Sequence, residues 1–301
     1  MPEQFDGARG KFFLRCFCGL SYHTVLELKQ VENGVTADGA LLRTVDRVHT
    51  GQQVVVRLPQ EKERPQQAVE LYVPVLYEDD DVLVFDKPPF MPVHPSAGHA
   101  ADTLANASAA YLQKKGECAT FRPVNRLDRN TSGIVVTAKH AHAAYALSGA
   151  VDKAYLAVVQ GALAGQGTVD APLRRMEGHG IRREIGEGGE RAVTHWRALA
   201  CGNGHTLLAV RLETGRTHQI RAHFSSLGFP LAGDDMYGGS VEMITRHALH
   251  CGRAAFFQPL CGERVCLHSP LPKDFRALLL QCGMDPQEAE DGLKKYFDTA
   301  E

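Results

Sequence analysis

The sequence predicts an α+β chain. Strand-like stretches come as neighbouring pairs joined by tight turns, the pattern of antiparallel hairpins, around Glu78–Asp81 and again around Gly202-Asn203-Gly204. Helical stretches, of which Thr103–Lys115 and Thr217–Leu227 are the clearest, stand apart from those pairs and do not alternate with single strands.

The chain has 301 residues, of which 44% are hydrophobic and 23% charged, enough for one or two well-packed domains. A formal net charge of −2 argues against indiscriminate binding to polyanions. An enzyme of nucleic acids with this balance must gather its arginines on one face. Arginines do cluster at 122, 126 and 129, at 174, 175, 182 and 183, and at 216 and 221, while acids collect at Glu78–Asp81 and after Asp285. The eight cysteines show no paired CxxC spacing, so they read as small buried hydrophobes in a reducing, cytoplasmic setting, with no metal site. The apolar run Phe12–Leu20 is broken by Arg15 and fails as a signal segment, and nothing approaches the ~20 apolar residues of a membrane span.

Residues 1–60 read as a small α/β domain. Ser21 caps a helix running to about Val31, Asn33-Gly34 ends it, and short strands are expected at Val35–Ala37, Leu41-Leu42 and Val54–Leu58. Residues 61–69 form a linker, overlapping the proline- and glutamine-rich string PQEKERPQQA at 59–68. Residues 70–301 form the second domain. It opens with a hairpin, Leu71–Tyr77 and Val82–Asp86, after which the prolines of KPPFMPVHPS exclude regular structure from Lys87 to Ser96. His94 in that segment reads as a loop anchor. The alanine-rich helix Thr103–Lys115 is capped by Asp102 or Thr103, and a short helix spans His140–Gly149. Lys153–Gly161 alternates as a half-buried strand. Gly165–Gly189 reads as a mobile hairpin or loop suited to RNA contact, and Ala192–Ala200 pairs with His205–Glu213. On the helix Thr217–Leu227, Thr217 and Arg221 share a face, as do Ile220 and Phe224. Gln287–Glu301 reads as an acidic helix or frayed tail.

The stretch that organises the rest is Phe121–Lys139, FRPVNRLDRNTSGIVVTAK. Asp128 sits in a turn between Arg126 and Arg129, and the turn leads into the β-branched run Ile134–Thr137. An ordinary turn uses the same residues, and their order decides otherwise. NRLDRNTSG resembles the HRLDxxTSG signature of the RluA-type pseudouridine synthases, enzymes that isomerise uridines of ribosomal and transfer RNA. Further matches are KPPFMPVHPS to NKPxGxxVHPS, KAYLAVVQG at 153–161 to KxYxAxVxG, TGRTHQIRAHFSSLGFPLAGDDMYGG at 214–239 to GRxHQIRxHxxxxGxPxxGDxxYG, and LHCGRAAFFQP at 249–259 to LHAxxLxFxHP. Two departures stand out: Asn125 and Gln258 occupy positions where the family has histidine. The order of residues 26–56 resembles the αL RNA-binding domain that precedes many of these synthases, with fewer basic residues along its helix.

The resemblance implies a long, mixed but mostly antiparallel central sheet flanked by helices, preceded by the small αL-type domain. It implies that Asp128 is the catalytic carboxylate, that Arg221 forms an ion pair with it, and that Tyr155 takes part in the second half of the reaction or stacks on the uracil. It implies substrate contacts from Arg126, Arg129, Thr131, Arg216, His218 and Gln219. The expected partner is structured RNA, large-subunit ribosomal RNA before transfer RNA, with the protein acting as a cytoplasmic monomer without cofactor or metal. Isomerisation detaches uracil from the anomeric carbon and rejoins it through carbon 5. It requires an ionised carboxylate at the ribose, which either attacks that carbon or removes the neighbouring sugar proton, and a group to accept the proton from carbon 5. Two rival readings are a non-catalytic RNA-binding relative or assembly factor, and an aspartate-nucleophile hydrolase of small molecules.

Overall fold

The structure, a computed structural model, describes residues 1–58 and 66–298. Residues 1–58 build a core of their own. Helices α1 (Gly10–Cys16) and α2 (Tyr22–Glu27, extended by a 3-10 turn at Leu28–Gln30) pack on a sheet ordered β2-β1-β3, from β1 (Val35–Ala37), β2 (Ala40–Leu41) and β3 (Val54–Val56). Ser21 caps α2 by accepting from Thr24 N–H at 2.9 Å. Helix α1 was not anticipated: Phe12–Leu20 is apolar enough to hide a helix, and the burial of Phe13, Leu14 and Leu20 beside Val25, Leu28 and Val48 explains it. Most of the expected linker, residues 61–65, lies outside the described residues; residues 66–69 carry no helix or strand.

The rest of the chain continues with β4 (Val75–Glu78), β5 (Val82–Lys87), α3 (Leu104–Lys114), β6 (Arg122–Pro123), β7 (Ser132–Ala138), α4 (Ala141–Leu147) and β8 (Asp152–Gln160). Then come β9 (Gln166–Asp170), β10 (Leu173–Arg175), β11 (Arg183–Ile185), β12 (Val193–Gly202), β13 (His205–Leu212), α5 (Gln219–Ser226), β14 (Leu249–Phe257), β15 (Arg264–His268), α6 (Lys273–Gln281) and α7 (Pro286–Asp298). Ten strands form one sheet in the order β4-β5-β7-β14-β8-β13-β12-β9, with β15 on β14 and β6 on β7. Every pairing is antiparallel except β7 with β14, where His250 faces Ser132 and Cys251 faces Gly133. That contact fixes Gly133: its φ is +110°, and a Cβ there would stand 2.2 Å from the Cys251 carbonyl oxygen.

Both faces of the sheet are covered. One core holds Leu104 and Leu112 of α3, Leu147 of α4, and Ile220 and Phe224 of α5; the other holds Phe275, Leu278 and Leu279 of α6 and Leu293 and Phe297 of α7. Strand β8 is therefore buried on both sides from Ala154 to Val159, and the half-buried reading is corrected. Its alternation divides two apolar layers, with Tyr155, Ala157 and Val159 toward α5 and Ala154, Leu156 and Val158 toward α7.

Other readings change for equally local reasons. Residues 165–189 do not form one loop: β9 joins the sheet edge along β12, and only β10–β11 forms a separate two-stranded hairpin. The glycine-poor pattern expected of a strand is absent because Gly167 lies against the Trp196 ring, where a Cβ would be 3.1 Å away. Helix α5 starts at Gln219, since His218 takes a left-handed conformation, φ 56°, so Thr217 lies in the preceding turn and shares no helical face with Arg221. The C-terminal stretch is no frayed tail over Pro286–Asp298, because Ala289, Leu293, Tyr296 and Phe297 bury one side of α7. Thr103 caps α3 through a reciprocal pairing with Asn106. Gln258, where the family has histidine, joins the end of β14 to the acidic turn by donating to Asp79 and Asp81.

Candidate active site

Asp128 sits just ahead of β7, at the middle of the sheet, in a cleft of about 860 Å³. The cleft is lined by residues from four separate stretches, among them Arg126 and Thr131, Tyr155, Arg216 and His218 to Arg221, and Leu249. The loop that carries Asp128 is tied down on both sides. Before it, Asn125 is buried, donating to Ile134 O at 3.1 Å and accepting from Val136 N–H at 2.8 Å, so the amide does for the loop what a charged imidazole is not needed for.

After it, four consecutive residues each meet a basic-type side chain from elsewhere. Lys87 Nζ donates to Arg129 O at 3.1 Å and Arg246 Nη1 to Asn130 O at 3.0 Å. His247 Nε2 pairs with Thr131 Oγ1 at 2.8 Å, and His250 Nδ1 with Ser132 Oγ at 3.0 Å. Arg246 is in turn gripped by both oxygens of Asp274 at 2.6 and 3.0 Å. A side chain held from so many directions keeps its place without substrate.

Arg221, buried on the inner face of α5, reaches Asp128 Oδ2 through Nη1 at 3.1 Å. Its remaining face is occupied by Asp234, which takes Nε at 2.7 Å and Nη2 at 2.8 Å. Asp234 thus orients the guanidinium and leaves Nη1 for Asp128. Burial would raise the Asp128 carboxyl, but facing His218, Arg221 and His247 bring it below its ordinary value. Burial holds both imidazoles below theirs, His247 at about 3, so at neutral pH Arg221 is the permanent cation of the three. Asp128 is an anion in a pocket that would otherwise neutralise it.

Tyr155 lines the cleft from β8, almost wholly buried, and burial pushes its phenol well above the ordinary value. It is present as the neutral phenol.

The sequence profile of RNA pseudouridylate synthase matches residues 81–226. An RNA pseudouridine synthase of Bacillus subtilis, YjbO, described as uncharacterized, is 38% identical over 268 residues, covering 87% of this chain and 95% of that protein. The chain belongs to the RNA pseudouridylate synthase family. Ribosomal large subunit pseudouridine synthase D of Pseudomonas aeruginosa is 39% identical over 267 residues, covering 81% of this chain and 82% of that one. Among solved structures, human RNA pseudouridylate synthase domain containing 1 shares the fold with a TM-score of 0.56 at 25% identity, over 69% of this chain and 86% of that one. The protein is thus an RNA pseudouridine synthase, an isomerase.

The synthase brings most of the sequence-selected residues into one cleft, with two exceptions. Arg129 points away from the cleft lining toward His99, its Nη1 lying 3.2 Å from His99 Nε2. Gln219 borders the cleft, but its amide is committed to the protein. It accepts from Arg216 N–H and Thr214 Oγ1 and donates to Val193 O and Thr194 Oγ1, which makes it a brace for the turn before α5. Thr131 presents its hydroxyl to His247. Arg126 is exposed at the cleft mouth. Arg216 pairs with Glu190 and Arg174 with Glu184 near the surface, where such pairs are weak. Sequence reasoning assigned no role to Lys87, Asp234, Tyr237, Arg246 or His247. Asp234 and Tyr237 fall inside the string GDDMYG, and only their distances to Arg221 and His218 reveal what they do.

Proposed function

We propose that this synthase isomerises a uridine of large-subunit ribosomal RNA, with Asp128 as the reactive carboxylate, Arg221 as its counter-ion and Tyr155 as the aromatic wall that receives the detached uracil. The observation that carries the reading is the 3.1 Å contact of Arg221 with Asp128 at the base of a cleft about 860 Å³ in volume, room for a nucleotide turned out of its stack. Extrusion costs a few kcal/mol, and Arg126 at the mouth is placed to fill the vacated stack or hold the phosphate beside it. An anion that stays ionised in a buried setting serves either course at the ribose, attack on the anomeric carbon or removal of the adjacent proton. The raised Tyr155 phenol favours stacking over proton removal by a phenolate.

Several relatives bear the name ribosomal large subunit pseudouridine synthase D at 36–39% identity, which supports that RNA over transfer RNA. Residues 1–58 are read as the accessory unit that brings the RNA to the cleft. The cleft is complete within one chain, which supports a working monomer, and a ribosomal substrate with eight cysteines free as thiols supports the cytoplasm. The test is to incubate the purified protein with unmodified large-subunit ribosomal RNA and with transfer RNA transcripts and to map pseudouridine in each. Modification confined to transfer RNA would overturn the substrate assignment.

A further inference from the structure

Tyr237 stands where the arginine hairpin, α5 and the Asp128 cleft meet. Its ring lies between two guanidinium groups, Arg221 at 5.0 Å and Arg182 at 5.3 Å from the ring centre. Its hydroxyl has two partners of different kinds: the backbone N–H of Arg183 on β11, 2.8 Å away, and Nδ1 of His218, 3.1 Å away. An amide can only donate, so the hydroxyl accepts from Arg183. The phenol's own hydrogen then points to His218, and it finds an acceptor there when Nδ1 is the nitrogen that carries none. A neutral imidazole built this way has its hydrogen on Nε2, and Nε2 faces Asp128 Oδ2 at 3.8 Å. Burial, by holding His218 below its ordinary pKa, keeps the ring in this neutral form.

We propose that Tyr237 is a positioning residue for the isomerisation: it fixes the His218 tautomer that offers an N–H to Asp128, and it ties the seating of the β10–β11 hairpin to the reactive carboxylate. The inference rests on Asp128 being that carboxylate. A separation of 3.8 Å is too long for a hydrogen bond and short enough that a small movement on substrate entry closes it. With the opposite tautomer a lone pair would face the carboxylate and push it away. The left-handed backbone at His218, φ 56°, keeps the ring in the turn between the two partners, a conformation uncommon outside glycine but taken by histidine more readily than by most residues. On the outside, the hairpin exposes Arg174 and Arg175 next to half-buried Arg182. An RNA strand drawn to these cations presses on the element whose backbone N–H fills the Tyr237 hydroxyl, so engagement outside the cleft is felt at Asp128.

The experiment joins nitrogen-15 NMR of histidine-labelled full-length protein with steady-state kinetics on the RNA substrate. Wild type should show His218 as the Nε2–H tautomer. Tyr237→Phe, which keeps the ring and removes one oxygen, should lose that preference and lower kcat by about tenfold, the equivalent of one net hydrogen bond, with KM for RNA unchanged. An Nδ1–H tautomer in wild type, or wild-type kcat in Tyr237→Phe, would overturn the proposal. The wild-type spectrum alone decides the tautomer if the variant does not fold. Full turnover by Asp128→Asn would instead remove the underlying catalytic reading while leaving the tautomer assignment standing.

Discussion

Arg221 Nη1 donates to Asp128 Oδ2 at 3.1 Å, joining two residues that lie 93 positions apart in the chain. The geometry is one-sided: Asp234 takes two of the guanidinium's N–H groups, so Arg221 cannot swing away from Asp128 without breaking a buried two-point pair. Two carboxylates thus share one buried guanidinium.

Replacing Arg221 by alanine should lower kcat by roughly 10²- to 10³-fold. It should also move the acid limb of the pH–rate profile to higher pH. In the native protein the Asp128 carboxyl is held below its ordinary value by His218, Arg221 and His247 against the burial that raises it; without the guanidinium, only the two imidazoles oppose that burial. A kcat profile measured from acid to neutral pH checks both, and an unmoved acid limb would show that the pair does not govern Asp128.

Tyr155 is predicted to act through its ring. Tyr155→Phe should keep most of the turnover, whereas Tyr155→Leu, which removes the aromatic face, should lose it. Single-turnover rates on the same RNA separate the two; comparable loss in both variants would restore a role for the hydroxyl.

Asn125→Ala strips two buried bonds from the strand that follows the Asp128 loop and leaves Ile134 O and Val136 N–H without their side-chain partner. Denaturant unfolding should show a loss of about 2 kcal/mol. Retained stability would mean the loop is anchored chiefly by its other end.

Lys87 gives a pH signature. Burial brings its pKa down to about 7, with Nζ spent on three backbone carbonyls, those of Pro88, Met91 and Arg129. The unfolded chain keeps that proton up to its ordinary pKa near 10.5, so between about pH 7 and 10.5 the unfolded state holds more protons. Stability of the wild type should therefore rise with pH across that window relative to Lys87→Met. Parallel curves for the two proteins would place a charged lysine in the core throughout.

Much of this arrangement was legible in the sequence, and the remainder shows where a sequence stops informing. The turn around Asp128, the strand after it and the helix bearing Arg221 are local features, set by turn residues, β-branched runs and helical spacing. The join between them is not local. Nothing in the sequence pairs Ser132 with His250, yet that parallel contact places Asp128 over the middle of the sheet. Strand β8 looked half-buried because alternation is the same whether one side meets water or a second apolar layer, and α7 supplies that layer from the far end of the chain. Gln219 reads as a substrate contact only through its place in the match to GRxHQIRxH, and an amide at that place serves a turn equally well. Lys87 and Arg246 escaped notice because a lysine beside prolines and an arginine before a histidine carry no sign of burial; the carbonyls they reach belong to residues 129 and 130.

The central claim is that one carboxylate at the base of the cleft does the chemistry at the ribose. Tritium release from RNA labelled at carbon 5 of uridine measures this directly, with RNA binding followed alongside. Asp128→Asn should bind RNA as the wild type does and release no tritium above background. Release at the wild-type rate would contradict the account.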